Sequence, residues 1–277
     1  MTTARMIYGT AWKKDRTAQL VVAAVLQGFR AIDTGPCQLK HYREDLVGQA
    51  LQTLYKEYGL QREDIFLQTK FTCIAGQDST KFLPYSPQDP VPKQVRASFH
   101  QSLKNLRTTY LDSYILHSPL PTMRATLEAW ATLMALQDAG HVGCIGISNV
   151  YNVAVLQALE DAGRRTQVVQ NRWHEGIGFD REVVRYCQER GIQYQSFWTL
   201  TGSPSLLAHP YLQEIAELVG CTPAQVLFKI AQSNGITPLT GTTNEQHMRE
   251  DLEVEKLDFS SDEVKERIAA VEEALFS

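Results

Sequence analysis

Short apolar runs alternate with longer amphipathic runs along most of the chain. The short runs are rich in β-branched and aromatic residues and predict strands. These strands fall at 6–9, 31–34, 65–70, 111–117, 142–148, 167–170, 192–197 and 235–239. Between them, apolar positions recur every three or four residues, which predicts helices. These helices fall at 17–29, 43–59, 92–107, 124–140, 152–163, 181–191 and 222–235, and a last one follows Ser261, its expected N-cap.

Eight strands that are each followed by a helix favour a parallel sheet with right-handed crossovers. Eight such units is the number found in a closed (β/α)8 TIM barrel, here as a single domain over residues 1–277. The alternative is an open doubly wound sheet, which usually carries a Gly-x-Gly-x-x-Gly turn after its first strand. The first strand here is followed by YGTAWKKD, with one glycine. The barrel is therefore preferred.

Composition excludes several kinds of partner. The 277 residues are 43% hydrophobic, with a net charge of −4 and neither a basic patch nor an acidic tail, so nucleic acid and anionic membranes are not expected partners. No apolar run reaches the ~18 residues of a membrane-spanning helix, and no signal peptide is recognisable. The five cysteines are dispersed without metal-ligand spacing. A cytoplasmic monomer with reduced thiols, no metal and a small-molecule substrate is expected.

Four polar residues end predicted strands or lie in the loops that follow: Asp33, Tyr42, Lys70 and His117. Each alone fits an ordinary turn, solvated or buried polar residue. In a barrel, however, all four would meet at the C-terminal mouth, where active sites lie. A tyrosine with a pKa of about 10 is a poor acid near neutrality, and a neighbouring ammonium group lowers that pKa. Such a set would protonate a carbonyl oxygen while a hydride arrives at carbon.

These segments together resemble the aldo-keto reductases over nearly the whole chain. The similar segments, in the family's order, are AIDT…HYREDLVGQAL, LQTK, LDSYILHSP, IGISNV, VVQNRWHE and GIQYQSFWTLTG. The resemblance implies a (β/α)8 barrel with a nicotinamide dinucleotide extended across its mouth. It also implies reduction of an aldehyde or ketone, with Tyr42 as general acid, Lys70 and Asp33 tuning it, and His117 orienting the substrate oxygen.

The resemblance further implies the cofactor contacts. Ser148, Asn149 and Gln170 would hold the nicotinamide carboxamide, and Phe197 would stack on its ring. The other implied contacts are Gly9, Thr10, Asp33, Trp198, Leu200, Gly202, Thr240, Gly241, Thr242, His247, Glu250 and Asp251. Asn149 is equally typical of a helix N-cap after a strand.

The substrate pocket is expected to be aromatic. The 22 residues from 71 to 92 form the longest irregular stretch, and loops of this length are usually functional or disordered. Since this loop follows the third strand, it would overhang the mouth. Substrate contacts are expected from Tyr85 in this loop, from Trp12 and from Trp173.

The sequence departs from the family pattern at two sites. Five residues after Asp33, where the family usually has its tyrosine, stands Gln38, and Tyr42 comes nine residues after Asp33. Near the eighth strand, Leu239, Thr240 and His247 stand where NADPH-binding members have Lys, Ser and Arg for the 2′-phosphate. NADPH is therefore expected to bind more weakly than in a typical member, with NADH as the alternative.

The ends of the chain are short compared with many members. Residues 1–5 leave no room for a hairpin that closes the barrel bottom, and no long C-terminal loop follows the last helix. An open substrate pocket is expected. The alternative function is a cofactor-binding barrel that serves as a regulatory or scaffolding subunit. The intact Asp33, Tyr42, Lys70 and His117 favour the enzyme.

Overall fold

The computed structural model describes residues 4–36 and 41–276, and within these ranges eight parallel strands close into a barrel. Each strand pairs with its sequence neighbours, and the first pairs with the last. The strands are β1 (Ile7–Gly9), β2 (Ala31–Asp33), β3 (Phe66–Phe71), β4 (Leu111–Leu116), β5 (Val142–Ser148), β6 (Val168–Arg172), β7 (Gln193–Phe197) and β8 (Ile236–Thr240). The predicted barrel is confirmed, and the open sheet is excluded.

Helices surround the barrel and cover the outer face of the strands. In the described part of the chain they are α1 (Thr17–Gln27), α2 (Glu44–Glu57), α3 (Val91–Leu106), α4 (Met123–Asp138), α5 (Val153–Asp161), α6 (Arg181–Arg190), α7 (Pro204–Leu207), α8 (Pro210–Val219), α9 (Pro223–Ser233), α10 (Glu245–Glu253) and α11 (Asp262–Phe276). Because the strands are covered outside and filled inside, most of their residues are buried. None of the described helices combines the length and apolarity that a membrane crossing requires.

Two helix termini and one helix compare as follows with the expectations from the sequence. Ser261 caps α11 as expected, since its Oγ accepts from Val264 N–H at 3.3 Å. Asn149 does not cap α5, because that position belongs to Asn152, whose side chain accepts from Ala154 N–H at 2.9 Å. The sequence analysis assigned no helix at α8, although its buried Leu212, Ile215 and Ala216 follow the helical spacing.

The helices α2 and α3 pack closely against each other. A Cβ on Gly48 in α2 would lie 2.0 Å from the carbonyl oxygen of Asn105 in α3, so glycine permits the close approach of the two helices. The first turn of α2 lies beside β3, because Glu44 accepts a hydrogen bond from Thr69 Oγ1.

Candidate active site

A cavity of about 700 Å³ lies at the C-terminal ends of the strands. Its lining comes from residues that end the strands or lie in the loops beyond them. They are Gly9, Ala11, Trp12, Asp33, His41, Tyr42, His117, Ser148, Asn149, Gln170, Arg172, Phe197, Trp198, Thr199, Leu200, Thr201, Thr222, Ala224, Phe228, Leu239, Thr240, Gly241, Thr242, His247, Glu250 and Asp251. The cavity therefore occupies the place where barrel active sites form.

The centre of this cavity contains a buried ion pair. Lys70, 1% exposed, donates from Nζ to both carboxylate oxygens of Asp33 and to the carbonyl oxygen of Thr34, each at 2.7 Å. Three acceptors use the three protons of an ammonium group. Lys70 is thereby held in one position, directly below the floor of the cavity.

Tyr42 lies over this ion pair. Its ring centroid is 5.1 Å from Lys70 Nζ and 6.0 Å from the centroid of the His117 ring. The structure thus brings together all four residues singled out at the strand ends, despite the nine-residue spacing after Asp33. Gln38, which marks the family's usual tyrosine position, lies outside the described residues.

A buried carboxyl group behind Tyr42 ties α2 to β3. Glu44 accepts hydrogen bonds from Thr69 Oγ1 and from Asn105 Nδ2, the latter at 3.0 Å. Burial raises the pKa of Glu44, and the hydroxyl of Thr69 partly offsets this shift. Because Thr69 precedes Lys70 in the same strand, the Glu44–Thr69 contact fixes Tyr42 relative to the ammonium group.

Three glutamines inside the barrel support Asp33 from below. Asp33 Oδ1 accepts from Gln68 Nε2 at 2.8 Å and from Gln170 Nε2 at 3.0 Å. Both amides also donate to Gln195 Oε1, at 2.7 and 3.0 Å. Gln68 and Gln195 did not emerge from the sequence analysis, because strand polar residues read equally well as solvent-facing. In the structure, Gln68 donates a hydrogen bond to the Asp33 carboxylate that holds Lys70, and Gln195 holds the amides of Gln68 and Gln170 in place.

His117 has its own support from the long loop after β3. Thr72 Oγ1 lies 2.8 Å from His117 Nδ1, and the hydroxyl of Tyr85 donates to Thr72 O at 2.7 Å. Tyr85 was expected to contact substrate, but it is 6% exposed, packs on Phe71 and does not line the cavity. The loop therefore uses Tyr85 to anchor itself next to His117.

At one end of the cavity lie Ser148, Asn149, Gln170 and Phe197. Asn149 has a positive φ of 52° and donates from Nδ2 to His117 O at 2.9 Å. The left-handed backbone turns the Asn149 amide back toward His117. This end presents hydroxyl, amide and aromatic groups, which suit a flat polar ring such as nicotinamide.

At the other end lie Thr240, Gly241, Thr242, His247, Glu250 and Asp251. Burial raises the pKa of Asp251 to about 6. Arg249 points away, donating to Gln246 Oε1 at 2.8 Å and to Gln27 Oε1 at 3.4 Å. The lining at this end thus contains no lysine or arginine among the described residues.

Lys13 lies beneath that end. It is 4% exposed, donates to Gly241 O at 2.9 Å and lies 4.8 Å from the centre of the Tyr8 ring. Burial, reinforced by the charge of Arg16, lowers the pKa of Lys13 to about 8. A lysine with so lowered a pKa can respond to a nearby phosphate by taking up a proton.

Two predicted cofactor residues lie outside the cavity lining. Thr10 is buried and donates from Oγ1 to Asp33 O at 3.0 Å, so it braces β2 from behind. Gly202 is covered by His174, whose Cγ would lie 2.5 Å from a Cβ at that position. Both residues support the walls of the cavity without facing it.

The outer rim of the cavity is aromatic. Trp12 is 65% exposed and lies against His41, with ring centroids 4.0 Å apart, and Trp198 is 51% exposed. Both tryptophans have a positive φ, of 65° and 63°, which is uncommon for bulky residues and concentrates at functional sites. Trp173, expected in the substrate pocket, is instead fully buried against Phe179, so it belongs to the core.

Arg172 and His41 also line the cavity, although the sequence did not lead us to expect either of them there. The guanidinium of Arg172 lies 5.4 Å from the Phe197 ring centre and 5.0 Å from the Trp198 ring centre. The clue in the sequence was alternation along β6, which places Arg172 on the same face as Gln170.

Known proteins resemble this chain in sequence and in structure over nearly its whole length. Residues 5–273 match the sequence model of the Aldo/keto reductase family. The chain is 29% identical to the uncharacterized oxidoreductase YtbE of Bacillus subtilis (strain 168) over 92% of its length and 83% of that protein's. It is 30% identical to methylglyoxal reductase DkgB of Yersinia pestis over 86% of its own length and 83% of the length of that protein. The crystal structure of an aldo/keto reductase from Brucella melitensis superimposes on this barrel with a TM-score of 0.78 and 25% sequence identity. The match covers 96% of this chain and 94% of the Brucella chain.

Proposed function

The chain belongs to the aldo/keto reductase family, and from this premise we propose that it reduces an aldehyde or ketone to an alcohol with NADPH. One carbonyl compound, one reduced cofactor and one proton give one alcohol and one oxidised cofactor. We assign the proton to Tyr42 and the placement of the carbonyl oxygen to Tyr42 and His117. The observation that carries this proposal is Lys70, whose buried ammonium lies between the Asp33 carboxylate and the Tyr42 ring.

The cavity fits an extended nicotinamide dinucleotide. Its amide-rich end offers Ser148, Asn149 and Gln170 to a carboxamide, with Phe197 for stacking. Its opposite end offers Gly241 and its threonine neighbours to phosphate oxygens, supported by Lys13. When bound, the reduced cofactor supplies the hydride, and the protein supplies position and electrostatics.

The residues of the chain handle the proton and the charge. Transfer of the Tyr42 proton to the carbonyl oxygen leaves a phenolate, which the nearby Lys70 ammonium stabilises. Asp33 keeps Lys70 charged and in place. We assign the donor role to the Thr72 hydroxyl in its 2.8 Å contact with His117 Nδ1, which leaves Nε2 as the N–H that can donate to the same carbonyl oxygen. Thr72 is on this account a positioning residue for His117.

The proposal is tested by incubating the protein and NADPH with a panel of aromatic and aliphatic aldehydes and ketones. We expect loss of cofactor absorbance together with an equal amount of alcohol. The rival role, a cofactor-binding barrel that regulates or scaffolds a partner, predicts cofactor binding without turnover of any member of the panel. A panel that is not reduced would therefore favour that role.

The cofactor choice is tested separately. Leu239, Thr240 and His247 stand in place of the charged clamp of typical NADPH-binding members, so we expect NADPH to bind, but more weakly than in those members. Exposed Trp12 and Trp198 at the rim make quenching of tryptophan emission a suitable titration signal. Binding of NADH tighter by about tenfold or more would overturn the assignment of NADPH.

A further inference from the structure

Arg172 has no role in the proposed reaction, yet it lies in the same cavity as Tyr42 and His117. It ends β6, two residues after Gln170, and strand alternation places both side chains on one face. Gln170 lies deep and bonds to Asp33. Arg172 therefore lies closer to the cavity mouth than Gln170 does.

The guanidinium of Arg172 has no carboxylate partner among the described residues. Arg43, Arg62 and Arg164 each pair with an aspartate at 2.6 to 2.7 Å. The side-chain hydrogen bond of Arg172 is to a neutral amide, Asn149 Oδ1, at the long distance of 3.5 Å. A partly buried arginine without a carboxylate is poorly compensated, since buried charges are normally paired.

The position of this guanidinium is nevertheless well defined. It lies near the rings of Phe197 and Trp198, which stabilise a cation. The backbone N–H of Arg172 donates to the Tyr151 hydroxyl at 3.0 Å, and the backbone oxygen of Arg172 accepts from the Tyr194 hydroxyl at 3.4 Å. The planar edge of the guanidinium remains for a ligand, and it matches a carboxylate, which accepts two parallel hydrogen bonds.

We propose that Arg172 is a specificity-determining residue that selects carbonyl substrates bearing a carboxylate. Asn149 connects Arg172 to His117, since Asn149 Oδ1 accepts from Arg172 and Asn149 Nδ2 donates to His117 O at 2.9 Å. A substrate whose carbonyl reaches Tyr42 thus meets Arg172 with its outer end. We choose a carboxylate over a phosphate because Arg172 is the one lysine or arginine in the described lining of the cavity. This inference rests on the proposed carbonyl reduction.

The test uses two aldehydes of matched shape, para-carboxybenzaldehyde and para-carbamoylbenzaldehyde. For the wild type, we expect kcat/KM to favour the carboxylate by about tenfold or more. Arg172→Gln should abolish the preference by lowering kcat/KM for the carboxylate much more than for the amide, whereas Arg172→Lys should retain part of it. Arg165→Gln removes one positive charge from an exposed position and serves as the matched control, which should behave as wild type.

A binding experiment separates this inference from the proposed function. Calorimetry on the protein loaded with oxidised cofactor measures the affinity of both aldehydes without turnover, and NADPH affinity is measured in each variant. Turnover with no carboxylate preference would overturn the role of Arg172 and leave the reductase standing. Weaker NADPH binding in Arg172→Gln with an unchanged preference would also overturn it, by placing Arg172 in the cofactor site. Carboxylate-selective binding that needs Arg172, without turnover, would support the anion site and overturn the reductase.

Discussion

Replacing Lys70 by methionine should strongly destabilise the protein, because it leaves Asp33 as a buried charge. The Asp33 side chain is 3% exposed and loses an ammonium that donates to both of its oxygens at 2.7 Å. Breaking a buried ion pair by removing one partner typically costs about 3–5 kcal/mol. The amides of Gln68 and Gln170 still donate to Oδ1, so we expect the lower end, about 3 kcal/mol.

The matched control is the double variant Lys70→Met/Asp33→Asn, which removes both charges. The free energy of unfolding of the double variant should exceed, by about 2 kcal/mol, the value expected if the losses of the two single variants simply added. Urea unfolding measures this through tryptophan emission, because Trp130 and Trp173 are fully buried in the folded state. A loss below about 1 kcal/mol for Lys70→Met, or additive losses in the double variant, would refute the buried pair as described.

Three further predictions follow from single contacts. Because the pKa of Lys13 is about 8 and a bound phosphate favours its charged form, NADPH affinity should fall as the pH rises through 8, and Lys13→Met should flatten this dependence in fluorescence titrations. Gly48→Ala places a Cβ 2.0 Å from the carbonyl oxygen of Asn105 and should cost at least about 2 kcal/mol in urea unfolding. Thr72→Val removes the hydroxyl 2.8 Å from His117 Nδ1 and should lower kcat by about tenfold, with an unchanged circular dichroism spectrum.

The barrel could be predicted from the sequence because buried parallel strands appear as short, continuous apolar runs between amphipathic helices. Strands such as β5 and β7 lie between covering layers and read as short runs bounded by helices with clear apolar spacing. The helix α8 was missed because only two residues separate it from the short α7, in a segment rich in proline and serine. Local composition there resembles a loop, although Leu212 and Ile215 carry the helical pattern.

The cluster of Asp33, Tyr42, Lys70 and His117 was equally predictable, since strand-end residues must meet at the mouth of a barrel. The positions of individual aromatic and polar side chains were not. Trp173 and Tyr85 were expected to contact substrate, but pattern alone does not tell a rim aromatic from a core aromatic. Gln68 became visible as a support for Asp33 only when three strands were placed around one barrel interior. Such contacts depend on register between distant strands, which sequence spacing does not encode.

The central claim is that Tyr42 donates the proton to a carbonyl oxygen in the cavity. Its most direct test is the rate of NADPH oxidation with an aromatic aldehyde, measured for the wild type and for Tyr42→Phe at equal cofactor saturation. Loss of general-acid catalysis predicts that kcat falls by about a hundredfold or more, while the affinity for NADPH stays the same. Equal turnover by the two proteins would contradict the account.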